Sequence, residues 1–199
     1  ITRLPLADGG DGSLELLRNA LGGGCTTVHV PTCDALERGI SAPMLLFGET
    51  AFIEMASVCG LAMLAPGERN PESTTTRGLG LMMRDAAGRG VRRIILGIGG
   101  SATNDGGEGM VSACPPEMLK GIEILAACDV DNPLLGPNGA TMVYGPQKGA
   151  DAAMLERLER RMEEWASRAG LDTLMPGGGA AGGVGAALHS IYGATLTPG

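Results

Sequence analysis

Glycine-rich segments that also carry Asp, Asn, Ser or Thr are the places where this sequence combines residue types suited to chemistry. The first is residues 7–13, ADGGDGS, where Asp8 and Asp11 stand three positions apart. Gly9 and Gly10 between them allow the backbone to approach a ligand closely. The segment is therefore a candidate binding loop. An Asx-type turn that caps the following helix is the alternative interpretation.

The second segment is residues 97–107, GIGGSATNDGG, between a predicted buried strand and a predicted helix. Sheets of the α/β class bind ligands at this position, and backbone N–H groups near a helix start favour phosphate or carboxylate. No Gly-Lys-Ser/Thr follows, so this is not a Walker loop. The bare G-x-G-x-x-A match at 97–102 keeps a nicotinamide-dependent oxidoreductase as an alternative. The candidate anion-binding residues are Gly99, Gly100, Ser101, Thr103, Asn104 and Asp105.

The third segment, residues 128–133, follows a predicted strand and contains Asp129 and Asp131. Their carboxylates are suited to bind Mg²⁺ or to take a proton from a substrate hydroxyl. If the strand continues, both lie on one face, and the crowding of like charges favours a nearby cation. A polar turn opened by Asn132-Pro133 is the alternative.

Two basic residues complete the candidate set. Lys148 lies in the rigid turn GPQKG at 145–149, where a point charge is suited to an anion, although an exposed turn lysine is the commoner explanation. Arg69, next to Glu68, is a candidate for binding a substrate carboxylate.

The elements that must position these residues alternate between strand-like and helix-like patterns, which predicts an α/β sheet. The clearest helix spans 151–169, with Asp151 as its cap and with i,i+4 pairs Glu156/Arg160 and Glu164/Arg168. The other predicted helices span 13–21, 73–87, 105–113 and 180–192. The predicted strands span 26–31, 44–47, 51–55, 93–98 and 122–127.

Composition excludes several functional classes. The 199 residues include 34 Gly, 44% hydrophobic residues and a net charge of −7, which predicts a packed core and disfavours binding to nucleic acid or to an anionic membrane. The five cysteines never form a C-x-x-C pair and there are only two histidines, so neither a disulfide framework nor a zinc site is indicated. Without a signal peptide or a membrane-span pattern, we expect a soluble cytoplasmic protein.

In their order and in their amino-acid sequences, the motifs resemble those of the bacterial glycerate kinases of the type-1 family. The resemblance covers nearly the whole chain. It is carried by PLADGGDGS at 5–13, IEMASVCGLAML at 53–64, RNPESTTTRGLG at 69–80, IILGIGGSATNDGGEGM at 94–110, ACDVDNPLLGPNGA at 127–140, YGPQKGA at 144–150 and PGGGAAGGVGAAL at 176–188.

The resemblance implies two α/β domains, one of them flavodoxin-like, with the active site between them. It implies transfer of the γ-phosphoryl group of ATP to D-glycerate with Mg²⁺, giving 2-phosphoglycerate; the partners are then these small molecules. Applied to this sequence, the catalytic candidates are Asp8, Asp129, Asp131 and Lys148, with Asp129 and Asp131 as Mg²⁺ ligands. The substrate or phosphate candidates are Gly9, Gly10, Asp11, Arg69, Gly99, Gly100, Ser101, Thr103, Asn104 and Asp105.

Departures from the family pattern define the expected domain content. Family members are nearly twice this length, usually have a few dozen more residues between 113 and 122, and have an acidic residue where Leu81 stands. We expect residues 1–199 to form the middle domain, a mixed sheet with flanking helices, incomplete at both ends, with the flavodoxin-like partner domain largely missing. We then expect weak or no turnover from this chain alone. A non-catalytic domain is an alternative, and a homodimer stays open.

Overall fold

A computed structural model describes residues 9–198, so Asp8 lies outside the described residues. A six-stranded mixed sheet forms the centre of the fold, with its strands in sequence order across the sheet. The first three strands are antiparallel, and the third to sixth run parallel. The α/β fold with a mixed sheet is confirmed. The strands are β1 (Thr26–Cys33), β2 (Gly39–Phe47), β3 (Thr50–Glu54), β4 (Arg93–Gly97), β5 (Glu123–Ala127) and β6 (Thr195–Thr197).

The helices flank this sheet, and two of them match the sequence pattern closely. They are α1 (Ser13–Leu21), α2 (Ala56–Cys59), α3 (Arg77–Gly88), α4 (Glu108–Ala113), α5 (Ala140–Tyr144), α6 (Ala152–Ala169) and α7 (Ala180–Tyr192). The start of α1 is as predicted, and Asp151 caps α6 by accepting the N–H of Met154 at 2.8 Å. The predicted ion pairs within α6 are absent from residues 9–198, and Arg168 instead pairs with Glu108 on α4 at 2.6 Å.

Helix α3 begins four residues later than the sequence predicts, because the threonines before it bond elsewhere. Thr74 Oγ1 donates to the carbonyl of Ala102 at 3.1 Å. The N–H of Thr75 donates to the carbonyl of Ala35 at 2.9 Å, and that of Thr76 donates to Asp105 Oδ2 at 2.8 Å. The segment 74–76 is therefore a tertiary connector and not a first helical turn.

Helix α7 has the predicted bounds but not a continuous helical backbone. Ala181, Gly182 and Gly183 have φ values of 55°, 70° and 93°, in the left-handed region. At Gly182 the backbone lies so close to the carbonyl of Thr103 that any Cβ would clash with it. Tertiary contact with residues 103–106 therefore sets this conformation.

The central strands position the candidate site. Ile94 and Leu96 on β4 and Ala126 on β5 are fully buried, which fixes the two strands between the helical layers. Because β3, β4 and β5 run parallel, their carboxyl ends lie at the same edge of the sheet. Between residues 9 and 198, no helix combines the length and the apolar character needed to cross a bilayer.

Candidate functional site

A cleft of about 440 Å³ lies at the carboxyl ends of β4 and β5. All three candidate segments, together with Arg69 and the turn of Lys148, contribute to it. Its lining residues are Asp11, Leu61, Ala62, Arg69, Ile98, Gly99, Gly100, Ser101, Ala127, Cys128, Asp129, Val130, Tyr144, Gln147, Lys148, Ala180 and Ala181.

Glycines let the first segment pack directly on the end of the sheet. The carbonyl of Gly9 accepts the N–H of Gly99 at 3.1 Å. A Cβ on Gly99 would lie 2.8 Å from the Cα of Gly10, so no larger residue fits between these backbones. This contact places the exposed carboxylate of Asp11 over Gly100, where an added Cβ would lie 2.8 Å from Oδ2.

Glu54, at the end of β3, holds the first segment in place. Its Oε2 accepts the N–H of Leu14 at 2.7 Å, and its Oε1 accepts the N–H of Gly12 at 3.3 Å. A carboxylate at the start of α1 satisfies amides that have no partner within the helix. Sequence reasoning gave Glu54 no role, because its partners are 40 residues away along the chain.

The second segment is tied to the chain that follows β3. The N–H of Leu61 donates to the carbonyl of Gly100, and that of Ala102 donates to the carbonyl of Cys59, both at 2.8 Å. This short antiparallel bridge holds the intervening Ser101 at the cleft. Within residues 9–198, the N–H groups of Gly100 and Ser101 donate to no protein acceptor, which leaves them available to a ligand.

Lys148 is buried in the wall of the cleft, with only 2% of its surface exposed. Its Nζ lies 3.0 Å from Ser101 Oγ and donates to the carbonyl of Thr103 at 2.6 Å. Burial lowers the pKa of Lys148 to about 7, and the charge of Asp105 opposes this shift. The interpretation of Lys148 as an exposed turn lysine is wrong.

Arg69 lies in the same cleft, held by its main chain. Its carbonyl packs against Gly149 so tightly that a Cβ on the glycine would clash with it. Its Nε is buried and has no hydrogen-bond partner among the described residues. A guanidinium with an unused buried donor beside an open cleft is suited to an anionic ligand.

The two aspartates of the third segment lie in different places relative to the cleft. Asp129 is exposed and lines the cleft, whereas Asp131 is exposed outside it. No group of three His, Cys, Asp or Glu side chains suited to hold a metal ion occurs in the described part of the chain. Of the proposed Mg²⁺ ligands, therefore, only Asp129 is in the cleft.

The remaining predicted residues lie behind the cleft. Gly9 and Gly10 support its floor, and Thr103 is fully buried. Asn104 is buried and its Nδ2 donates to Thr141 Oγ1 at 3.0 Å. Asp105 lines a different cavity of about 270 Å³ and joins three parts of the chain.

Asp105 accepts hydrogen bonds from Thr75, Thr76, Gly107 and Gly109. The N–H and Oγ1 of Thr76 both lie 2.8 Å from Oδ2, and Thr75 Oγ1 lies 3.4 Å from it. The N–H groups of Gly107 and Gly109 donate to the same carboxylate, each at 3.2 Å. The carboxylate of Asp105 therefore serves the fold, and the structure does not bring it to the cleft.

The G-x-G-x-x-A match does not have the geometry that dinucleotide binding requires. That fingerprint opens a helix whose N-terminus receives the pyrophosphate. Here the chain after Gly97 forms the bridge at Ser101, and α4 begins only at Glu108. The structure gives no support to the oxidoreductase alternative.

Several lining residues had no predicted role. Tyr144 lines the cleft and its hydroxyl donates to Asn132 Oδ1 at 2.6 Å; burial raises its pKa. Gln147 lines the cleft one position before Lys148. Both residues belong to the motif YGPQKGA at 144–150, so reading that motif as a unit would have found them.

Comparison with known proteins gives one consistent family. The profile of the glycerate kinase family matches residues 1–119 and 114–199. A glycerate kinase of Halalkalibacterium halodurans is 38% identical to the chain over 234 aligned residues, which cover 98% of this chain and 60% of that protein. The glycerate 2-kinase of Escherichia coli K12 is also 38% identical, with the same two shares covered.

A crystal structure shows the same fold. It is the structure of a Salmonella typhimurium LT2 protein assigned as glycerate kinase 2, with a TM-score of 0.87 and 40% identity over 98% of this chain and 62% of that one. The chain thus spans about three fifths of the length of the relatives it matches. With the family profile matched along its length and the fold shared, the chain belongs to the glycerate kinase family.

Proposed function

We propose that this chain carries the glycerate- and phosphate-binding cleft of an ATP-dependent, Mg²⁺-dependent kinase that converts D-glycerate to 2-phosphoglycerate. The observation that carries the proposal is the convergence of Asp11, the turn 99–101, Asp129 and Lys148 on one cleft. Family membership supports the reaction class. The Escherichia coli relative, named glycerate 2-kinase, supports phosphorylation at the 2-hydroxyl.

Recognition of the anion rests on the N–H groups of the turn and on two cations. Phosphoryl transfer needs alignment of the reacting groups and positive charge over the phosphate oxygens. The amides of Gly100 and Ser101 and the guanidinium of Arg69 supply donors at the cleft. Lys148 becomes cationic when an anion binds next to it, because the negative charge raises its pKa.

The carboxylates in the cleft fit Mg²⁺ only if substrate phosphates and water complete the coordination of the ion. Mg²⁺ keeps several waters and takes one or two carboxylates together with substrate phosphates. Asp129 supplies one such carboxylate and Asp11, over Gly100, supplies a second candidate. When bound, the ion would neutralise charge on the transferred phosphoryl group.

The described cleft also orients the sugar acid in this proposal. Arg69 binds the glycerate carboxylate, and whichever of Asp11 and Asp129 is not used by the ion accepts a hydrogen bond from the attacking hydroxyl. Both carboxylates are exposed to the cleft, so either is able to reach a small ligand.

The connection between α4 and β5 differs in length from that of the relatives. Alignments with the curated relatives run to 232–235 positions against 199 residues, and the two matched family ranges overlap at 114–119. These numbers support a shortened connection between α4 and β5. The relatives extend well beyond the matched region, so ligand binding by residues 1–199 is the direct test of the cleft.

Calorimetry with matched variants tests the proposal. D-glycerate and Mg·ATP are titrated separately into the wild-type chain, D129N and D131N, and ADP release is measured alongside. Asp129 and Asp131 are of one type, both exposed and two residues apart, but only Asp129 lines the cleft. We expect D129N to weaken Mg·ATP or glycerate binding at least tenfold and D131N to change it less than twofold.

The outcomes separate the kinase from its alternative. Binding that falls in D129N and not in D131N supports the cleft. Failure of the wild-type chain to bind either ligand, or equal loss in both variants, overturns the assignment and favours a non-catalytic domain.

A further inference from the structure

A serine and a lysine form an isolated polar pair in the wall of the cleft. Lys148 Nζ lies 3.0 Å from Ser101 Oγ, and the carbonyl of Thr103 accepts from Nζ at 2.6 Å and fixes its position. Ser101 is only 7% exposed and Lys148 is 2% exposed, but both line the cleft. This arrangement exceeds what binding a phosphate requires, because it aims a lysine at a hydroxyl and not at open space.

The hydrogen-bond donors and acceptors around this pair favour a neutral amine on Lys148. A protonated Lys148 offers three N–H groups and no lone pair, so the hydroxyl proton of Ser101 would then find no acceptor in the described chain. A neutral amine donates to Thr103 and accepts the proton of Ser101. Lys148 takes part in none of the ion pairs between residues 9 and 198, so its burial favours the same form.

We propose that Ser101 and Lys148 form a nucleophile–base pair that attacks small carboxylic esters, an activity separate from phosphoryl transfer. A serine becomes a nucleophile when an adjacent base takes its proton, and a desolvated lysine is such a base. The open cleft gives an ester carbonyl access to Oγ. The free N–H groups of Gly100 and Ser101 are candidate donors to the developing oxyanion.

The reaction balances within the pair, the ester and water. Ser101 Oγ forms a bond to the carbonyl carbon while its proton moves to Nζ. The bond from that carbon to the alcohol oxygen then breaks, and the alcohol leaves with the proton from Nζ. Water, losing a proton to Nζ, attacks the acyl-serine and restores Ser101 with release of the carboxylic acid.

The charges around the pair favour a base that works near neutral pH. Burial lowers the pKa of Lys148 to about 7, against the opposing effect of Asp105. Asp11, Arg69 and Asp129 are the other charged residues that line the cleft. Occupation of the cleft by phosphate would protonate Lys148 and remove the base, so inorganic phosphate should inhibit the ester reaction.

p-Nitrophenyl acetate is the probe, with release of nitrophenolate followed at pH 8 and the acetylated residue located by peptide mass spectrometry. The variants are S101A and K148M, with S112A and K120M as controls. Ser112 is exposed and lies outside the cleft. Lys120, the other of the chain's two lysines, is also exposed. Thermal unfolding of each variant reports whether it folds.

We expect acetyl-Ser101 in the wild-type chain, a rate at least tenfold lower in S101A and K148M, and less than twofold change in S112A and K120M. Acetylation found only at Lys120, Cys25 or another surface group, or an unchanged rate in S101A, overturns the proposal. If K148M fails to fold, the location of the acetyl group and the S101A rate still decide. Because the probe contains no phosphate, failure here leaves the kinase proposal standing, and loss of nucleotide binding leaves this one standing.

Discussion

The turn around Asp105 and the cleft use the same residue types in different ways. In the Asp105 turn, defined as residues 103–109, one carboxylate accepts five protein hydrogen bonds, from Thr75, Thr76, Gly107 and Gly109. In the cleft, the carboxylates of Asp11 and Asp129 are exposed. Glycine-rich sequence surrounds both Asp11 and Asp105, so composition alone does not separate these two acids.

The difference between these regions lies in where each carboxylate finds its donors. A carboxylate whose oxygens are taken up by backbone N–H groups stabilises the fold, because removing it would leave several amides without a partner. An exposed carboxylate in an open cleft, such as that of Asp11, contributes little to folding.

Replacing Asp105 should destabilise the chain, whereas the same change at the exposed Asp11 should not. We expect D105N to lower the free energy of unfolding by about 3 kcal/mol, because an amide group cannot accept from all the N–H donors around Oδ2. We expect D11N to change it by less than about 0.5 kcal/mol. Urea unfolding of both variants provides the measurement, and equal losses would remove the distinction between the two regions.

Because of Lys148, the free energy of unfolding of the chain should increase as the pH rises. The lysine pKa is 10.5 when unperturbed and about 7 in the folded chain. Between these values the unfolded chain binds one proton more than the folded chain, so stability is lowest below pH 7 and increases up to pH 10.5. Relative to K148M, the wild-type chain should gain about 2 kcal/mol between pH 7 and pH 9.

Urea unfolding of both proteins at several pH values measures this gain. K120M, at the exposed lysine, serves as the control and should run parallel to the wild type. A difference between wild type and K148M that does not vary with pH would mean that folding does not lower the pKa of Lys148, which would then stay protonated in the folded chain across this range.

The sequence predicts elements whose determinants are local. Helices α1 and α6 follow from their apolar spacing and, in α6, from the cap at Asp151, and the structure has both. The predicted start of α3 was wrong because the N–H of Thr76 donates to Asp105, 29 residues further along the chain, and not within a first helical turn. The three-residue strand β6 was missed because its pairing with β5 is its only determinant.

The residue types of the candidate site were predictable from the sequence, but which of these side chains face the cleft was not. Glycine, serine and aspartate in 97–107 pointed to a ligand loop, and Gly99, Gly100 and Ser101 do line the cleft. Whether Asp105 or Asp129 faces the cleft depends on how segments far apart in sequence pack together. The burial of Lys148 likewise depends on Ser101 and Thr103, which lie 47 and 45 residues away.

Glu54 should stabilise the floor of the cleft by a smaller amount than Asp105 stabilises its turn. Its carboxylate accepts two N–H groups at the start of α1, against five bonds at Asp105. E54Q keeps the shape but removes the charge and one accepting oxygen, and we expect a loss of about 1 kcal/mol in the free energy of unfolding. Glu15, which is exposed in the first turn of α1, is the control for the charge alone: E15Q should cost less than half as much in the same urea titration.

Relieving the backbone strain at Ala181 should change the stability of the chain only slightly. Ala181 lines the cleft with φ of 55°, a conformation that costs an alanine about 1 kcal/mol and a glycine almost nothing. Replacing Ala181 by glycine relieves this cost in the folded chain, but part of the gain in stability is offset because glycine makes the unfolded chain more flexible. We therefore expect A181G to raise the free energy of unfolding by about 0.5 kcal/mol.

Strain that persists next to a cleft is typical of a site that holds a ligand in a fixed geometry. If that is its role here, A181G should stabilise the chain and at the same time weaken the binding of Mg·ATP or glycerate in calorimetry. Ala186, fully buried further along α7 and absent from the cleft lining, is the control position; there the change to glycine should destabilise the helix and leave affinity unchanged. A gain in stability without any change in affinity would assign the left-handed turn to the packing of Gly182 against Thr103 alone.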